Sequence, residues 1–279
     1  MLNLAITCLM LQLQAQTTQI TLQQAVENRL VVVTAEANPS GTHYQQPLVI
    51  RIKNVSPKQQ MILVENGHTF LPLDTSYQPI IIVRKVMVTL SPGETKEIKP
   101  DAMCFNKNKS GPAELAQYRT AGPVGPLLTK LTAFLEEKNC EAYASQLAIW
   151  SLMNGEPLRS IAGWNPYATN DLVNYVAEVT DREPPPPPDE DDYERNLHAT
   201  PKSTIGGNFE FTLLETTEIH IALFNEDNIV VRELYFNPSE KPGAHVFSYE
   251  FDATVYTDPV YYVRYLENNV VLMELKVDS

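Results

Sequence analysis

Over the first hundred residues the apolar positions fall in short, closely spaced runs. Arg29-Leu-Val-Val-Val-Thr-Ala-Glu-Ala37 is β-branched and then alternates, and Pro47-Leu-Val-Ile-Arg-Ile-Lys-Asn54 alternates apolar with polar. That period of two predicts strands with one buried face. Met61–Val64 and Ile80–Val83 are wholly apolar and suit strands inside a sheet core, and Val86–Leu90 leads through the turn residues Ser91-Pro-Gly-Glu94 into Thr95–Lys99. Short strands separated by turns predict a β-sandwich.

Beyond residue 112 the period becomes helical. Leu127, Leu128, Leu131 and Leu135 share one helical face behind Pro126, which is acceptable in a first turn. Glu141–Met153 predicts a second helix stopped near Asn154-Gly155, and Asn170–Glu178 a third capped by Asn170 or Thr169. Three helices are too few for a bundle and are expected to pack on the preceding sheet. Strand patterning returns in Asn208–Leu214, Thr217–Phe224, Ile229–Tyr235, His245–Phe251, Val260–Tyr265 and Val270–Lys276, with Ile219, Ile221 and Leu223 on one face. Between the two patterns, Pro184–Pro188 and the acidic run Asp189-Glu-Asp-Asp192 predict an extended, solvated spacer. The run has only the charge of a calcium loop, not the spacing or glycine of an EF-hand.

The expected class is therefore mainly β with helices. A signal peptide is expected over 1–15, a β-sandwich with about three helices over 17–180, a Pro-rich acidic linker over 181–204 and an Ig-like β-sandwich over 205–279. The proline rod is expected to separate two independently folded domains. In the last part, an "F-x-F-x-L" strand, "I-x-I-x-L-F", an acidic turn, "I-V-V-R-E-L", a Pro-Gly turn and a closing "Y-Y-V-R-Y" hairpin follow in order. That order resembles the FlgD-type Ig-like fold that ends many exported proteins of Bacteroidota-like bacteria. The resemblance implies a sandwich and a link to type IX secretion. It covers about a quarter of the chain. Asn228 stands where the usual glycine of the acidic turn would be, and the chain ends Lys276-Val-Asp-Ser279 without a basic terminus.

The first residues fit export. Met1–Ala15 is an apolar start running into Gln/Thr, with Leu13 and Ala15 at −3 and −1 of a cut before Gln16. A charged n-region is missing, since the first basic residue is Arg29; a buried first element is the alternative. Location in the periplasm, on the cell surface or in the medium follows as an expectation. Two cysteines then remain, Cys104 and Cys140. In an oxidising compartment these are expected to pair, two unrelated buried thiols being the alternative.

Composition narrows the function classes. With 43% hydrophobic and 20% charged residues, wholesale disorder is excluded. Only 11 Gly stand against 21 Pro, and no Gly-rich phosphate cradle occurs. The net charge of −13 argues against nucleic acid or an anionic membrane as partner. All of it lies in 181–279, which holds 20 acidic and 7 basic residues against 14 of each in 1–180. A partner of that region is expected to be basic or cation-bridged. No apolar run is long enough to span a bilayer, and no cofactor is implied.

Chemical motifs are sparse. His43, His68, His198, His220 and His245 make no metal-ligand spacing, so no metal site is expected. No Gly-x-Ser-x-Gly elbow occurs, and no catalytic residue is assigned. Gly67-His68-Thr69 with Asp74 is the one cluster of acid–base flavour, and Asn225 and Asp227 mark the acidic turn. His68, Asp74, Asn225 and Asp227 are thus the candidate binding residues. His220 alternates with Ile219 and Ile221 and is expected to face solvent. Trp150, Trp164, Tyr143, Tyr167 and Tyr175 are expected in the core rather than on a ligand surface. Two functions stay open: a non-catalytic exported module binding protein or glycan, or structural in role; and a secreted hydrolase whose site assembles from distant residues. Oligomeric state is not indicated.

Overall fold

The computed structural model describes residues 19–39, 41–113, 115–163, 166–186, 204–252 and 258–278. The expected signal peptide and the spacer from 187 to 203, with its acidic run and His198, lie outside these residues.

The chain starts with β1 (Gln19–Thr21) and turns directly into α1 (Leu22–Glu27). Thr21 drives that switch. Its hydroxyl accepts the Gln24 N–H while the Gln24 side chain accepts the Thr21 N–H, both at 3.1 Å. Such a reciprocal cap contributes about 1 kcal/mol and lets a six-residue helix bury Leu22 and Ala25.

Two sheets form the first sandwich. In the smaller, β1 runs parallel to β4 (Gln60–Val64), which pairs antiparallel with β7 (Val86–Leu90). The larger is antiparallel throughout. It comprises β2 (Val31–Ala37), β3 (Leu48–Asn54), β5 (His68–Pro72), β6 (Ile80–Ile82), β8 (Thr95–Ile98), β9 (Ala102–Cys104) and β10 (Gln117–Pro123). Their spatial order is β8-β3-β2-β10-β5-β6-β9. Ile50, Ile52, Ile62, Val64, Val88, Ile80, Ile82 and Cys104 fill the space between the sheets.

Strand alternation gives the larger sheet a second buried face. Ile81 of β6 and Met103 of β9 point opposite to their neighbours, into a layer made by α2 (Pro126–Glu137), α3 (Ala142–Asn154) and α4 (Pro166–Thr180). α3 also covers the exposed edge of β9. The Gln146 amide donates to Cys104 O at 2.6 Å and accepts from Cys104 N at 3.1 Å, which satisfies an edge residue that has no strand partner on that side. Arg182, just past α4, donates to Ser151 O and Glu156 O and so ties the end of α3.

The C-terminal half is a second sandwich. β11 (Thr204–Leu213) pairs with β14 (Gly243–Asp252). Facing them, β13 (Val230–Glu240), β12 (Thr217–Asn225), β15 (Val260–Glu267) and β16 (Val270–Asp278) form a sheet in that order. Phe209, Ile219, Ile221, Leu223, Phe251, Val263 and Tyr265 lie between the two sheets. Asn268 and Asn269 join β15 to β16 with φ of 47° and 65°. Two consecutive left-handed residues suit a tight hairpin, and asparagine tolerates that region. The architecture is thus mainly β with four α-helices among the described residues.

Two expectations need correction. Cys104 and Cys140 are both free. Cys104 points into the first sandwich with Ile80 and Ala102, whereas Cys140 packs in the helical layer on the far side of the same sheet. Alternation along β9 therefore keeps the two sulfurs apart. His220 is buried, not solvent-facing, with 1% exposure. The face of β12 that bears His220, Ala222 and Phe224 is covered by the N-terminal half. The Pro184–Pro188 run predicts two independently folded units; each half does have a core of its own, and one further apolar cluster crosses between them. It joins Met103, Leu131 and Ile149 to Ala222, Phe224, Val230 and Leu266.

Candidate functional site

The residues singled out in the sequence do not assemble into one site. His68 opens β5 and is fully buried, with Nε2 2.6 Å from Thr120 Oγ1 and Nδ1 4.0 Å from a Glu65 carboxylate oxygen. Asp74 lies beyond the end of that strand and is exposed. Its carboxylate accepts the Ser76 N–H at 2.9 Å, which holds it below the usual carboxylate range. These two are local structural groups.

Asn225 and Asp227 build the β12–β13 turn and dock it. Asn225 Oδ1 accepts the N–H groups of Asp227 and Ile229, and its amide donates to Asp258. Asp227 Oδ1 accepts the Ser110 hydroxyl at 2.6 Å, and Asp227 O accepts the Gly111 N–H at 2.8 Å. The approach is close: a Cβ on Gly111 would stand 3.0 Å from Asp227 O. The acidic turn is therefore an internal contact between the halves.

A buried polar cluster lies deeper in the same interface. His43 and Tyr44 come from the β2–β3 loop; His220 is on β12 and Glu233 on β13. The Tyr44 hydroxyl donates to Glu233 Oε1 at 2.8 Å and lies 3.0 Å from His220 Nε2, which is itself 3.0 Å from the same carboxylate oxygen. Burial, then the Glu233 charge, pushes the Tyr44 phenol well up, so it stays a donor. His43 Nε2 accepts the Val230 N–H at 3.0 Å, and its ring stacks on Trp150 with centroids 5.2 Å apart and planes 5° from parallel. That hydrogen bond assigns the neutral ring's proton to Nδ1, which is buried without a partner. Burial first, and the facing His220 second, pull the His43 pKa down to about 3. Trp150 is thus a core residue, 3% exposed, as expected. Tyr143 and Tyr175 pack against the apolar cluster of the helical layer, while Trp164 and the Tyr167 side chain lie outside the described residues.

Beside this cluster both halves line a half-open cavity of about 660 Å³. The N-terminal half contributes Tyr44 and Gln45, Arg84 after β6, Met103 and Asp101 from β9 and its approach, and Cys140, Glu141 and Ser145 from the α2–α3 junction. The C-terminal half contributes Glu218 of β12, Phe236 of β13 and Asn269 of the β15–β16 hairpin. Arg84 and Asp101 pair at 3.2 Å and are partly exposed. Inside, Glu218 accepts from Asn269 Nδ2 at 3.2 Å. Burial, helped by the charge of Asp101, raises the Glu218 pKa against the opposing pull of His220. Burial likewise raises the Cys140 thiol, so it remains protonated and a weak nucleophile.

Comparison with protein-family models, with curated proteins and with solved structures finds no match to this chain.

Of the cavity lining only Cys140 stands out in the sequence, and there as a disulfide partner rather than a ligand contact. Tyr44 meets partners 176 and 189 residues away, and no local spacing announces such a contact. The one available signal was the all-round apolar character of β12, Ile219-His-Ile-Ala-Leu-Phe224. A strand with few polar residues is buried on both faces, and a histidine within it must then be partnered.

Proposed function

We propose that this chain is an exported, non-catalytic binding protein of the periplasm, cell surface or medium, and that its ligand occupies the cavity between the two halves. The observation that carries this reading is the cavity itself. Both halves line it, its size suits a small ligand or one peptide side chain, and its lining mixes apolar side chains with polar ones, Glu218 from a strand and Gln45, Arg84 and Asn269 from loops and turns. The FlgD-type Ig-like reading of 205–279 and the signal peptide over 1–15 belong to the same proposal. The hydrolase alternative has weaker support, because among the described residues the Cys140 thiol in the cavity has no hydrogen-bonded base and stays protonated.

Two measurements test the proposal. N-terminal sequencing of native protein should find a start near Gln16 in the extracytoplasmic fraction; an intact Met1 on a cytosolic chain overturns the export reading. Calorimetric titration of the mature chain with peptide and glycan panels should find saturable binding that Ala142→Trp, a substitution filling the cavity, abolishes. Hydrolytic turnover lost on a single cavity substitution overturns the non-catalytic reading.

A further inference from the structure

We propose that the chain pairs with a second copy of itself along the open edge of β16, as a two-fold antiparallel strand pair centred on Leu275. The inference is independent of the cavity reading above. β16 ends the sheet order β13-β12-β15-β16, so its backbone pairs with β15 on one side and, among the described residues, with no strand on the other. Such an edge presents a row of unpaired N–H and C=O groups, a template for a further strand. It is nine residues long and holds no proline, and Val270, Val271, Leu272 and Leu275 on it are exposed. The other end of the sheet is not open in this way, since Phe236 and Pro238 of β13 line the cavity against the N-terminal half. β11 and β14 each have an open side as well. Their charges are the carboxylates of Glu210, Glu250 and Asp252, with no Lys or Arg among them, so a second copy would meet repulsion there.

The charges of β16 choose the occupant and the register. In a two-fold antiparallel pair one residue stands opposite its own copy, and the positions before it stand opposite those after it. Centring the pair on Leu275 sets Glu274 opposite Lys276 of the second copy, and Lys276 opposite its Glu274. Centring it on Glu274 or on Lys276 sets like charges against each other. The strand is thus complementary to itself in charge, in one register. The two faces agree with that register. Glu274 lies beside Arg264 and Lys276 beside Tyr262 on one face of the sheet. Met273, Leu275 and Val277 lie beside Tyr265, Val263 and Tyr261 on the other, the face turned to the β11–β14 ribbon. Pairing about Leu275 therefore sets Leu275 against Leu275 and Met273 against Val277, apolar to apolar, on the same side where both copies keep their cores. Leu275 shows what the edge lacks: Val263 beside it is wholly buried, whereas Leu275, with no strand beyond it, is 41% exposed. Arg264 Nε donates to Glu274 Oε2 at 2.6 Å, which fixes the carboxylate on the outer face and leaves Oε1 for the incoming ammonium.

The experiment is sedimentation velocity on the purified chain from low to high micromolar concentration, at physiological ionic strength, where the repulsion between two chains of net charge −13 is screened. A reversible monomer–dimer equilibrium is expected. Glu274→Lys and Lys276→Glu should each weaken the dimer at least tenfold with the circular dichroism spectrum unchanged, because each sets like charges opposite one another twice. An equimolar mixture of the two variants should recover the dimer, since Lys then stands opposite Glu at both crossings. Damage to the fold of either variant does not produce that recovery, and neither does a contact elsewhere on the surface. A chain that is monomeric at every concentration overturns the proposal. So does a dimer indifferent to both substitutions, and so does a mixture that associates no better than its components.

Discussion

Tyr44 shows how one hydroxyl can hold two halves of a chain together. It is 1% exposed and serves both His220 and Glu233 across the interface. Tyr44→Phe keeps the ring but removes one of the donors to the buried Glu233 carboxylate and the hydroxyl beside His220 Nε2. A buried group deprived of its partner costs about 1–3 kcal/mol, so urea unfolding of the variant should show a loss of that size. An unchanged midpoint would mean that the triangle contributes nothing to stability. His43 makes the same interface sensitive to acid. Its ordinary pKa of 6.5 falls to about 3 on folding. Below pH 6.5 the unfolded chain takes up a proton that the folded chain refuses, so stability from this residue is complete above that pH. It is lost progressively as pH falls from about 6.5 towards 3. His43→Phe keeps a ring against Trp150, and its unfolding midpoint should vary less over that window than that of the parent. Identical pH profiles would refute the assignment.

At the scale of elements, local pattern and burial partner were legible to different degrees. The apolar runs anticipated β2, β3, β4, β6 and β7 to within a few residues, and Leu128, Leu131 and Leu135 do form the buried stripe of α2. Those features depend on spacing alone. β1, α1, β5, β9 and β10 did not stand out. They are short, as in Ala102–Cys104, or are broken by a residue such as Gly122, whose φ of 77° marks a bulge in β10. What covers an element's second face was not legible at all. His220 and Cys104 were misread for that reason. Each sits on a strand buried from both sides, and period-two alternation says which residues share a face but not what lies against it. The consequence for the cysteines is measurable. Cys104 is fully buried, and burial pushes its thiol well up. A thiol reagent should leave Cys104 unmodified in the native protein and label it on unfolding, and peptide mapping without reductant should recover Cys104 and Cys140 as separate peptides. A linked pair would contradict the placement of the two residues on opposite faces of the larger sheet.

The whole molecule is organised around one shared layer. The helical layer packs on the first sandwich and shares one apolar cluster with residues of β12, β13 and β15, and Tyr143 of α3 donates to Val231 O of the second sandwich, so neither sandwich buries all its apolar surface alone. Ala222, Phe224, Val230 and Leu266 would be bared if the halves parted, and bared apolar surface is costly in proportion to its area. Two polar contacts at the turn reinforce the join: Ser110 to the Asp227 carboxylate and the Gly111 N–H to the Asp227 carbonyl. Calorimetric melting of the mature chain is therefore expected to give a single transition, and cleavage within 187–203 should leave two fragments that still co-elute. Gly111→Val offers the sharpest challenge. A Cβ there already meets the Asp227 carbonyl at 3.0 Å, and the contact is with backbone, so the two halves must shift to admit a larger side chain. The cavity lies in the same interface, so the substitution should weaken ligand binding and lower the melting temperature together. A variant that melts like the parent yet elutes as one tight unit after cleavage would show that the turn does not fix the halves, and that the apolar layer alone does.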